Sequence, residues 1–340
     1  MQKIVVTGGT GYIGSHTAVS LIEQGFEVII LDNLVNSNQE TLTGIETITG
    51  VKPTFFQMDL TNATLVNEFF KTHSDTAAVI HFAALKAVGE SVQKPIAYYR
   101  NNLFALINLL DAMQQNNVSN LVFSSSATVY GEPDSLPLTE KNPTKPALSP
   151  YGNTKKIGED IIKDTAQANA DFHAVSLRYF NPIGAHESAL IGELPNGIPN
   201  NLMPFITQTA VGLRKELMVF GDDYNTSDGT AVRDYIHVVD LANAHVKTVE
   251  RLLKNEQATN YEIFNLGTGK GSSVLEVIQS FEKANGKKLP YQIVARRSGD
   301  VEAMYAATEL ANQELGWTAK HNLDDMTASA WAWEQQVRKL

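Results

Sequence analysis

The chain has 340 residues, of which 43% are hydrophobic and 19% are charged, and its formal net charge is −10. These proportions are those of a globular protein and exclude a largely disordered chain. The acidic excess argues against nucleic acid or an anionic membrane as the main partner. The sequence contains no cysteine, which excludes disulfides, thiolate nucleophiles and cysteine-based metal sites.

The sequence shows no run of 18 apolar residues and no secretory signal, so we expect a cytoplasmic protein. Its eight histidines are dispersed and form no H-E-x-x-H motif. We therefore predict no metal, and we interpret His237 and His245 as structural residues. At about 150 residues per domain, the length suggests two domains.

Over the first 125 residues, short apolar segments alternate with helical ones. The apolar segments are KIVVTG, EVIILDN, TFFQMDL, AAVIHFAA and NLVFSSS, and the helical ones include SHTAVSLIEQG and NNLFALINLLDAMQQNN. Apolar runs bounded by turn-forming residues are typical of strands buried on both faces. The alternation predicts an α/β fold with a doubly wound parallel sheet of the Rossmann type, whose ligand lies outside the carboxyl ends of the strands.

After residue 180 the pattern becomes irregular and rich in Pro, Asn and Gly. We predict a dinucleotide-binding domain over residues 1–180, to which residues 235–265 return. Residues 181–234 and 266–340 are predicted to form a smaller, irregular α+β domain for the substrate.

Three glycines, Gly8, Gly11 and Gly14, separate the first predicted strand from the first helix. Such a turn lets the backbone approach a pyrophosphate at the helix N-terminus, although a ligand-free tight turn is the alternative for the glycines alone. Asp32 ends the next strand, where an acid accepts hydrogen bonds from the adenine ribose. Since no Arg or Lys follows it directly, we predict NAD and not NADP. Asp59, at the end of TFFQMD, either meets the adenine or lies in a surface loop.

A second motif joins Tyr151 and Lys155, which lie four residues apart on one face of a predicted helix. A nearby ammonium favours the phenolate, which predicts a general base, whereas the motif alone also fits a surface Tyr and a solvated Lys. Upstream, the strand NLVF runs into Ser124 and Ser126. Their hydroxyls are expected to point toward the same crevice as the dinucleotide.

The segments TGGTGYIG, HFAALKAV, SSSATVYG, SPYGNTK and RYFNPIGAH occur in the order and spacing of the extended short-chain dehydrogenase/reductase family, which the chain resembles. The segments NLMPFI, GTAVRDYIHVVDLANAH, FNLGTG and RRSGD extend the resemblance, over nearly the whole chain, to the branch that inverts C4 of UDP-hexoses. This implies an isomerase that interconverts UDP-glucose and UDP-galactose through a 4-keto intermediate, with tightly bound NAD taking and returning the hydride. It also implies a homodimer.

The resemblance implies catalytic roles for Tyr151 as base, Lys155 as the residue that lowers its pKa, and Ser126 as the partner of the sugar 4-oxygen. The implied cofactor site comprises Gly8, Gly11, Tyr12, Ile13, Gly14, Asp32, Asn33, Asn36, Ser37, Asp59, Leu60, Phe82, Ala83, Ala84, Lys86, Asn101, Ser124, Tyr151, Lys155 and Tyr179. The implied substrate site comprises Ser126, Tyr151, Asn181, Asn201, Leu202, Phe220, Arg233, Arg297, Asp300 and Met304. Arginine forks suit diphosphate oxygens, and the bulk of Met304 is expected to limit access for an N-acetylated sugar.

Several other functions share part of this pattern. Sugar-nucleotide 4,6-dehydratases carry an acid pair after the serine equivalent to Ser126, whereas Ala127 and Thr128 stand at those places here. A decarboxylase acting on UDP-glucuronate and an epimerase acting on UDP-N-acetylglucosamine are closer alternatives. A non-catalytic NAD-binding protein would not need Tyr151, Lys155 and Ser126 together.

Overall fold

The computed structural model describes residues 1–297 and 300–339. Its strands are β1 Lys3–Thr7, β2 Glu27–Asp32, β3 Thr54–Gln57, β4 Thr76–His81, β5 Asn120–Ser126, β6 His173–Tyr179, β7 Asn181–Ile183, β8 Leu217–Phe220, β9 Val232–His237, β10 Tyr261–Leu266, β11 Gly271–Ser273, β12 Tyr291–Val294 and β13 Ala303–Met304. Its helices are α1 Tyr12–Glu23, α2 Glu40–Thr49, α3 Ala63–Thr72, α4 Val88–Gln93, α5 Pro95–Gln115, α6 Pro150–Ala168, α7 Leu202–Ala210, α8 Val238–Leu253, α9 Val274–Asn285, α10 Glu309–Glu314 and α11 Leu323–Arg338. A 3₁₀ helix covers Ala127–Tyr130.

A seven-stranded parallel sheet in the order β10-β6-β5-β4-β1-β2-β3 forms the centre of the fold. The chain starts in β1, moves outward through β2 and β3, and then crosses back to β4 on the other side of β1. Helices on both faces connect these strands. The predicted doubly wound α/β fold is confirmed.

The core of this sheet has two layers because successive side chains of a strand point to opposite faces. In β1, Ile4 and Val6 join the cluster that packs against α1 and α8, whereas Val5 joins the cluster that packs against α5. All three are fully buried, as expected for a parallel sheet covered on both faces.

The remaining strands form two smaller sheets. Strand β9 pairs with β7, β11 and β13, and β8 pairs with β12. Strand β10 lies in the large sheet beside β6, and the predicted boundary at residue 235 falls inside β9. The division into two domains stays a prediction. In the part of the chain that the structure describes, no helix is long and apolar enough to cross a membrane.

Candidate active site

A cavity of about 1070 Å³ opens at the carboxyl ends of β1, β2, β4 and β5, where a doubly wound sheet binds its ligands. It is large enough for a dinucleotide and a second ligand together. All twenty residues predicted for the cofactor line it: Gly8, Gly11, Tyr12, Ile13, Gly14, Asp32, Asn33, Asn36, Ser37, Asp59, Leu60, Phe82, Ala83, Ala84, Lys86, Asn101, Ser124, Tyr151, Lys155 and Tyr179.

The glycine turn between β1 and α1 leaves no room for side chains. Gly8 has φ +69°, and a Cβ on it would lie 2.8 Å from the Ala83 backbone nitrogen. A Cβ on Gly14 would clash with the carbonyl oxygen of Gly8, while the Gly11 amide donates a 3.1 Å hydrogen bond to that oxygen. The turn thus brings bare backbone and the N-terminus of α1 to the cavity wall, which suits a pyrophosphate.

Asp32 is held in place before any ligand binds. Its Oδ1 accepts hydrogen bonds from the Leu34 amide at 2.9 Å and the Ser37 hydroxyl at 3.0 Å, and its Oδ2 accepts one from the Thr10 amide at 3.2 Å. Only 8% of the residue is exposed, yet it lines the cavity. The carboxylate is therefore fixed at the cavity wall, and its contact with a ribose diol stays a prediction.

Tyr151 and Lys155 stand at the start of α6 because Ser149 caps this helix and Pro150 occupies its first turn. The Lys155 ammonium donates a 2.6 Å hydrogen bond to the Ser124 carbonyl and lies 5.9 Å from the centre of the Tyr151 ring. Ser126 ends β5 and caps the 3₁₀ helix that follows, since the Thr128 amide donates to its hydroxyl at 3.2 Å. The structure thus brings the three predicted catalytic residues to one wall of the cavity.

Burial shifts the pKa values of both Tyr151 and Lys155. Burial raises the pKa of Tyr151 to about 12, and the Ser126 hydroxyl opposes this shift. Burial lowers the pKa of Lys155 to about 7, against the opposing charge of Glu159. Burial is thus the largest influence on both groups, and the lowering of the Tyr151 pKa by Lys155 stays a prediction.

His245 supports the cavity wall from behind. It is fully buried in α8, and its Nε2 lies 3.0 Å from the Tyr179 hydroxyl, while its ring lies 4.8 Å from that of Phe82. His237 caps α8 through the Val239 amide. Across residues 1–297 and 300–339, no group of three or more His, Asp or Glu side chains is arranged to hold a metal ion.

Seven of the ten residues predicted for the substrate also line the cavity. They are Ser126, Tyr151, Asn181, Asn201, Arg233, Asp300 and Met304. Leu202 begins α7 and packs against the apolar cluster that includes Met203 and Trp331. Phe220 is 38% exposed in β8, and Arg297 forms an ion pair with Asp300 at 3.0 Å. These three lie outside the cavity lining, although the Arg297 guanidinium lies 5.0 Å from the Phe220 ring. Ser298 and Gly299 of the RRSGD motif lie outside the described residues.

Three residues that the sequence analysis did not single out, Glu193, Trp333 and Asn102, connect the segments around the cavity. Glu193 lines the cavity, accepts a 2.6 Å hydrogen bond from Asn201 and forms a 3.4 Å ion pair with Lys86. The indole of Trp333 donates to the Glu193 carbonyl, and Trp333 lines the cavity. Asn102 joins the loop after β4 to α6 by accepting from the Leu85 amide and donating to the Thr154 hydroxyl. No local motif marks these contacts, and those from Trp333 and Lys86 to Glu193 join segments more than 100 residues apart.

Comparisons with known proteins give one matching family and close relatives over nearly the whole chain. The family described as GDP-mannose 4,6 dehydratase matches residues 5–330. A UDP-glucose 4-epimerase of Mus musculus is 53% identical, with the alignment covering 99% of this chain and 97% of that relative.

Two solved structures have nearly the same fold. A UDP-glucose 4-epimerase from Stenotrophomonas maltophila with bound NAD and formylated UDP-arabinopyranose is 48% identical, with a TM-score of 0.96 and coverage of 100% of this chain and 99% of that one. The enzyme from Bifidobacterium longum in complex with NAD⁺ and UDP is 48% identical, with a TM-score of 0.94 and coverage of 98% of both chains.

Proposed function

This chain belongs to the UDP-glucose 4-epimerases of the extended short-chain dehydrogenase/reductase family, and we propose that Tyr151, Lys155 and Ser126 are its catalytic residues. It is an isomerase that interconverts UDP-glucose and UDP-galactose, and NAD is its cofactor. The observation that carries the proposed roles is that the three side chains meet on one wall of the cavity that the glycine turn and Asp32 also line.

The residues around the glycine turn fit NAD. The space that a Cβ would fill at Gly8 and Gly14 is taken by backbone, which leaves amide groups and a helix N-terminus for the pyrophosphate. Asp32 presents a carboxylate to the adenine ribose and would repel a 2′-phosphate. When bound, NAD supplies the hydride acceptor and a positively charged ring at the reaction centre.

Tyr151 acts as the base that removes the proton from the sugar 4-hydroxyl. Its phenol stands in the first turn of α6, where the helix dipole favours an anion, and the Lys155 ammonium lies behind its ring. Both effects favour the phenolate against the burial that raises the pKa of Tyr151. Ser126, on the same wall, donates a hydrogen bond to the sugar 4-oxygen and orients it.

The nucleotide half of the substrate binds to the wall of the cavity formed by Arg233, Asn181 and Asn201. Burial lowers the pKa of Arg233, and its guanidinium remains the cation best placed for the diphosphate. Asn181, Asn201 and Asp300 offer hydrogen bonds to the uridine and ribose from the cavity lining. Leu202, Phe220 and Arg297 complete the site from its rim. Since this wall anchors the UDP, the sugar is free to present either face of C4 to the cofactor.

The local structure after Ser126 argues against dehydration. The positions where dehydratases carry an acid pair are Ala127 and Thr128, in the 3₁₀ helix, and neither can donate or accept a proton as a carboxyl group does. The family match described by a dehydratase therefore reflects a shared fold and cofactor site and not a shared reaction.

One experiment tests both the reaction and the role of Tyr151. Purified protein is incubated with UDP-galactose without added NAD, and UDP-glucose is measured; denaturation then releases the bound nicotinamide for assay. Tyr151→Phe should retain the cofactor and lose turnover by about 10² to 10⁴-fold, because only the proton acceptor is removed. Tyr99→Phe, which removes a phenol that accepts a 2.8 Å hydrogen bond from Asn153, is the matched control. Turnover of Tyr151→Phe within about tenfold of wild type would remove Tyr151 from catalysis.

We further propose a cytoplasmic homodimer. Helix α5 carries exposed Ile96, Phe104 and Ile107, at 66%, 52% and 45% exposure, on one stripe. An apolar helical stripe of this kind suits the two-fold helical interface that the family resemblance implies.

A further inference from the structure

A buried polar cluster lies behind the catalytic face of α6, among side chains to which the reaction assigns no role. Tyr151, Lys155 and Glu159 follow one another at four-residue intervals on this helix and therefore share one face. Glu159 is only 5% exposed, so its carboxylate has left water as completely as the Lys155 ammonium, which is also 5% exposed. Burying an ionised carboxylate costs free energy unless it is paired and hydrogen-bonded, so the partners of Glu159 are informative.

The three consecutive serines of β5 receive this helix face in register. Lys155 donates to the carbonyl oxygen of Ser124 at 2.6 Å, and the Ser125 hydroxyl donates to Glu159 Oε1 at 2.5 Å. The middle serine thus holds the carboxylate, while its neighbours Ser124 and Ser126 face the cavity.

Arg178 of β6 completes the cluster. It is paired with Ser125 across the sheet, and its fork donates from Nε to Glu159 Oε1 at 2.9 Å and from Nη2 to Oε2 at 2.6 Å. The guanidinium, 3% exposed, lies 4.7 Å from the Tyr130 ring. This bidentate geometry fixes the carboxylate in both position and orientation.

Stability alone does not explain such a pair, because well-packed apolar side chains at buried ion pairs are often as stabilising. Its position offers a different explanation. Burial works against the ammonium of Lys155, and the negative charge of Glu159 opposes that effect. Tyr151 of the same helix and His81 of β4 also lie near Lys155, and Tyr179 of β6 lies beside Ser124 and Tyr151. Burial lowers the pKa of His81 to about 3. His81 is therefore neutral, and the charges of Glu159 and Arg178 decide the balance.

We propose that Glu159 is a positioning residue that keeps Lys155 charged for catalysis, and that Ser125 and Arg178 hold Glu159 for this task. The inference rests on the proposed role of Lys155. Arg178 weakens this stabilisation, because its positive charge repels the Lys155 ammonium while the Glu159 carboxylate attracts it. The two charges of the pair therefore act on Lys155 with opposite signs.

The test measures the titration of Lys155 in the NAD-loaded protein by NMR of isotope-labelled lysine, with the resonance assigned by its loss in Lys155→Arg. Glu159→Gln leaves Arg178 unbalanced and should lower the titration midpoint by about one to two pH units. Arg178→Met leaves the carboxylate unbalanced and should raise it. The double variant should return to within about half a unit of wild type. The alkaline limb of the kcat profile should move with the midpoint.

Glu262→Gln is the matched control, because Glu262 forms a buried ion pair with Arg251 at 2.8 Å in a different part of the fold. It should lower the unfolding midpoint without moving the titration of Lys155. An unchanged Lys155 midpoint in Glu159→Gln, or shifts of the same sign in both single variants, would overturn the proposal. If Glu159→Gln does not fold, Arg178→Met decides alone: a raised midpoint supports the proposal and an unchanged one refutes it. Tyr151→Phe tests the proposed function separately. If Tyr151→Phe is inactive and the titration midpoint of Lys155 is unchanged in the Glu159 and Arg178 variants, only this inference is refuted.

Discussion

Met304 both lines the cavity and packs against apolar side chains. It belongs to β13, is paired with Arg233 of β9, and lines the cavity while packing beside Phe180 and Ala127 in a small apolar cluster. The Met304 side chain is therefore held by packing while it borders the cavity. An unbranched, flexible methionine can yield partly to a larger sugar substituent, whereas a rigid aromatic could not.

We expect Met304 to set the preference between UDP-glucose and UDP-N-acetylglucosamine. Excess bulk in a pocket typically costs about 1–3 kcal/mol, so wild type should favour the unacetylated pair by a factor on the order of tens to a few hundred. Met304→Ala should reduce this factor, as measured by kcat/KM for both pairs. Met326→Ala removes a methionine of α11 that is buried in the cluster around Phe281 and Trp331, and it should leave the ratio unchanged. An unaltered ratio in Met304→Ala would refute the selective role and leave the epimerase assignment intact.

At the scale of elements, the glycine turn packs directly against the first turn of α1, with no room for a side chain at Gly14. Gly14→Ala should therefore displace α1 from the turn, because the new Cβ would clash with the Gly8 carbonyl oxygen and lie 2.8 Å from Gly9 Cα. We expect a loss of about 1–3 kcal/mol in the free energy of unfolding together with loss of NAD during purification.

The control for this variant is Gly89→Ala in α4, since a Cβ there meets nothing within 4 Å. It should keep NAD and be neutral, or stabilise by up to about 1 kcal/mol. Denaturant unfolding and the nicotinamide released per chain measure both effects. Full cofactor retention by Gly14→Ala would show that the turn can open without harm to the site.

Local patterns predicted the elements that carry the chemistry. Strand β2 ends at Asp32 and β5 ends at Ser126, as the apolar runs indicated, and Tyr151 lies in the first turn of α6. Buried strands, caps and glycine turns are written in neighbouring residues, which is why they can be read from one sequence. The bond from Trp333 to the Glu193 carbonyl spans 140 residues, and the Glu159 pair with Arg178 joins a helix to a strand. Such contacts depend on tertiary packing and leave no periodic signal.

At the scale of the whole molecule, four buried histidines connect pH to stability. His16 lies in α1, His81 in β4, and His237 and His245 at the start and middle of α8, and each is at most 3% exposed. Burial lowers the pKa of the first three to about 3 and that of His245 to about 4. All four are therefore neutral in the folded protein at neutral pH, although an exposed histidine titrates near 6.5.

These histidines should make the protein sensitive to mild acid. Because their folded pKa values lie below the unfolded value, the unfolded state binds more protons between about pH 6.5 and pH 3, and stability falls as the pH falls through that window. Each histidine costs about 1.4 kcal/mol per pH unit there, or about 2 kcal/mol by pH 5, so four together approach the whole stability of a typical domain. We expect the urea midpoint to fall steeply from pH 7 to pH 5. His245→Gln cannot titrate at this position and should remove one histidine's share of the slope, whatever its stability at pH 7. A pH dependence equal to that of wild type in His245→Gln would contradict this account. An equal pH dependence in His81→Gln as well would show that groups other than these histidines cause the sensitivity to acid.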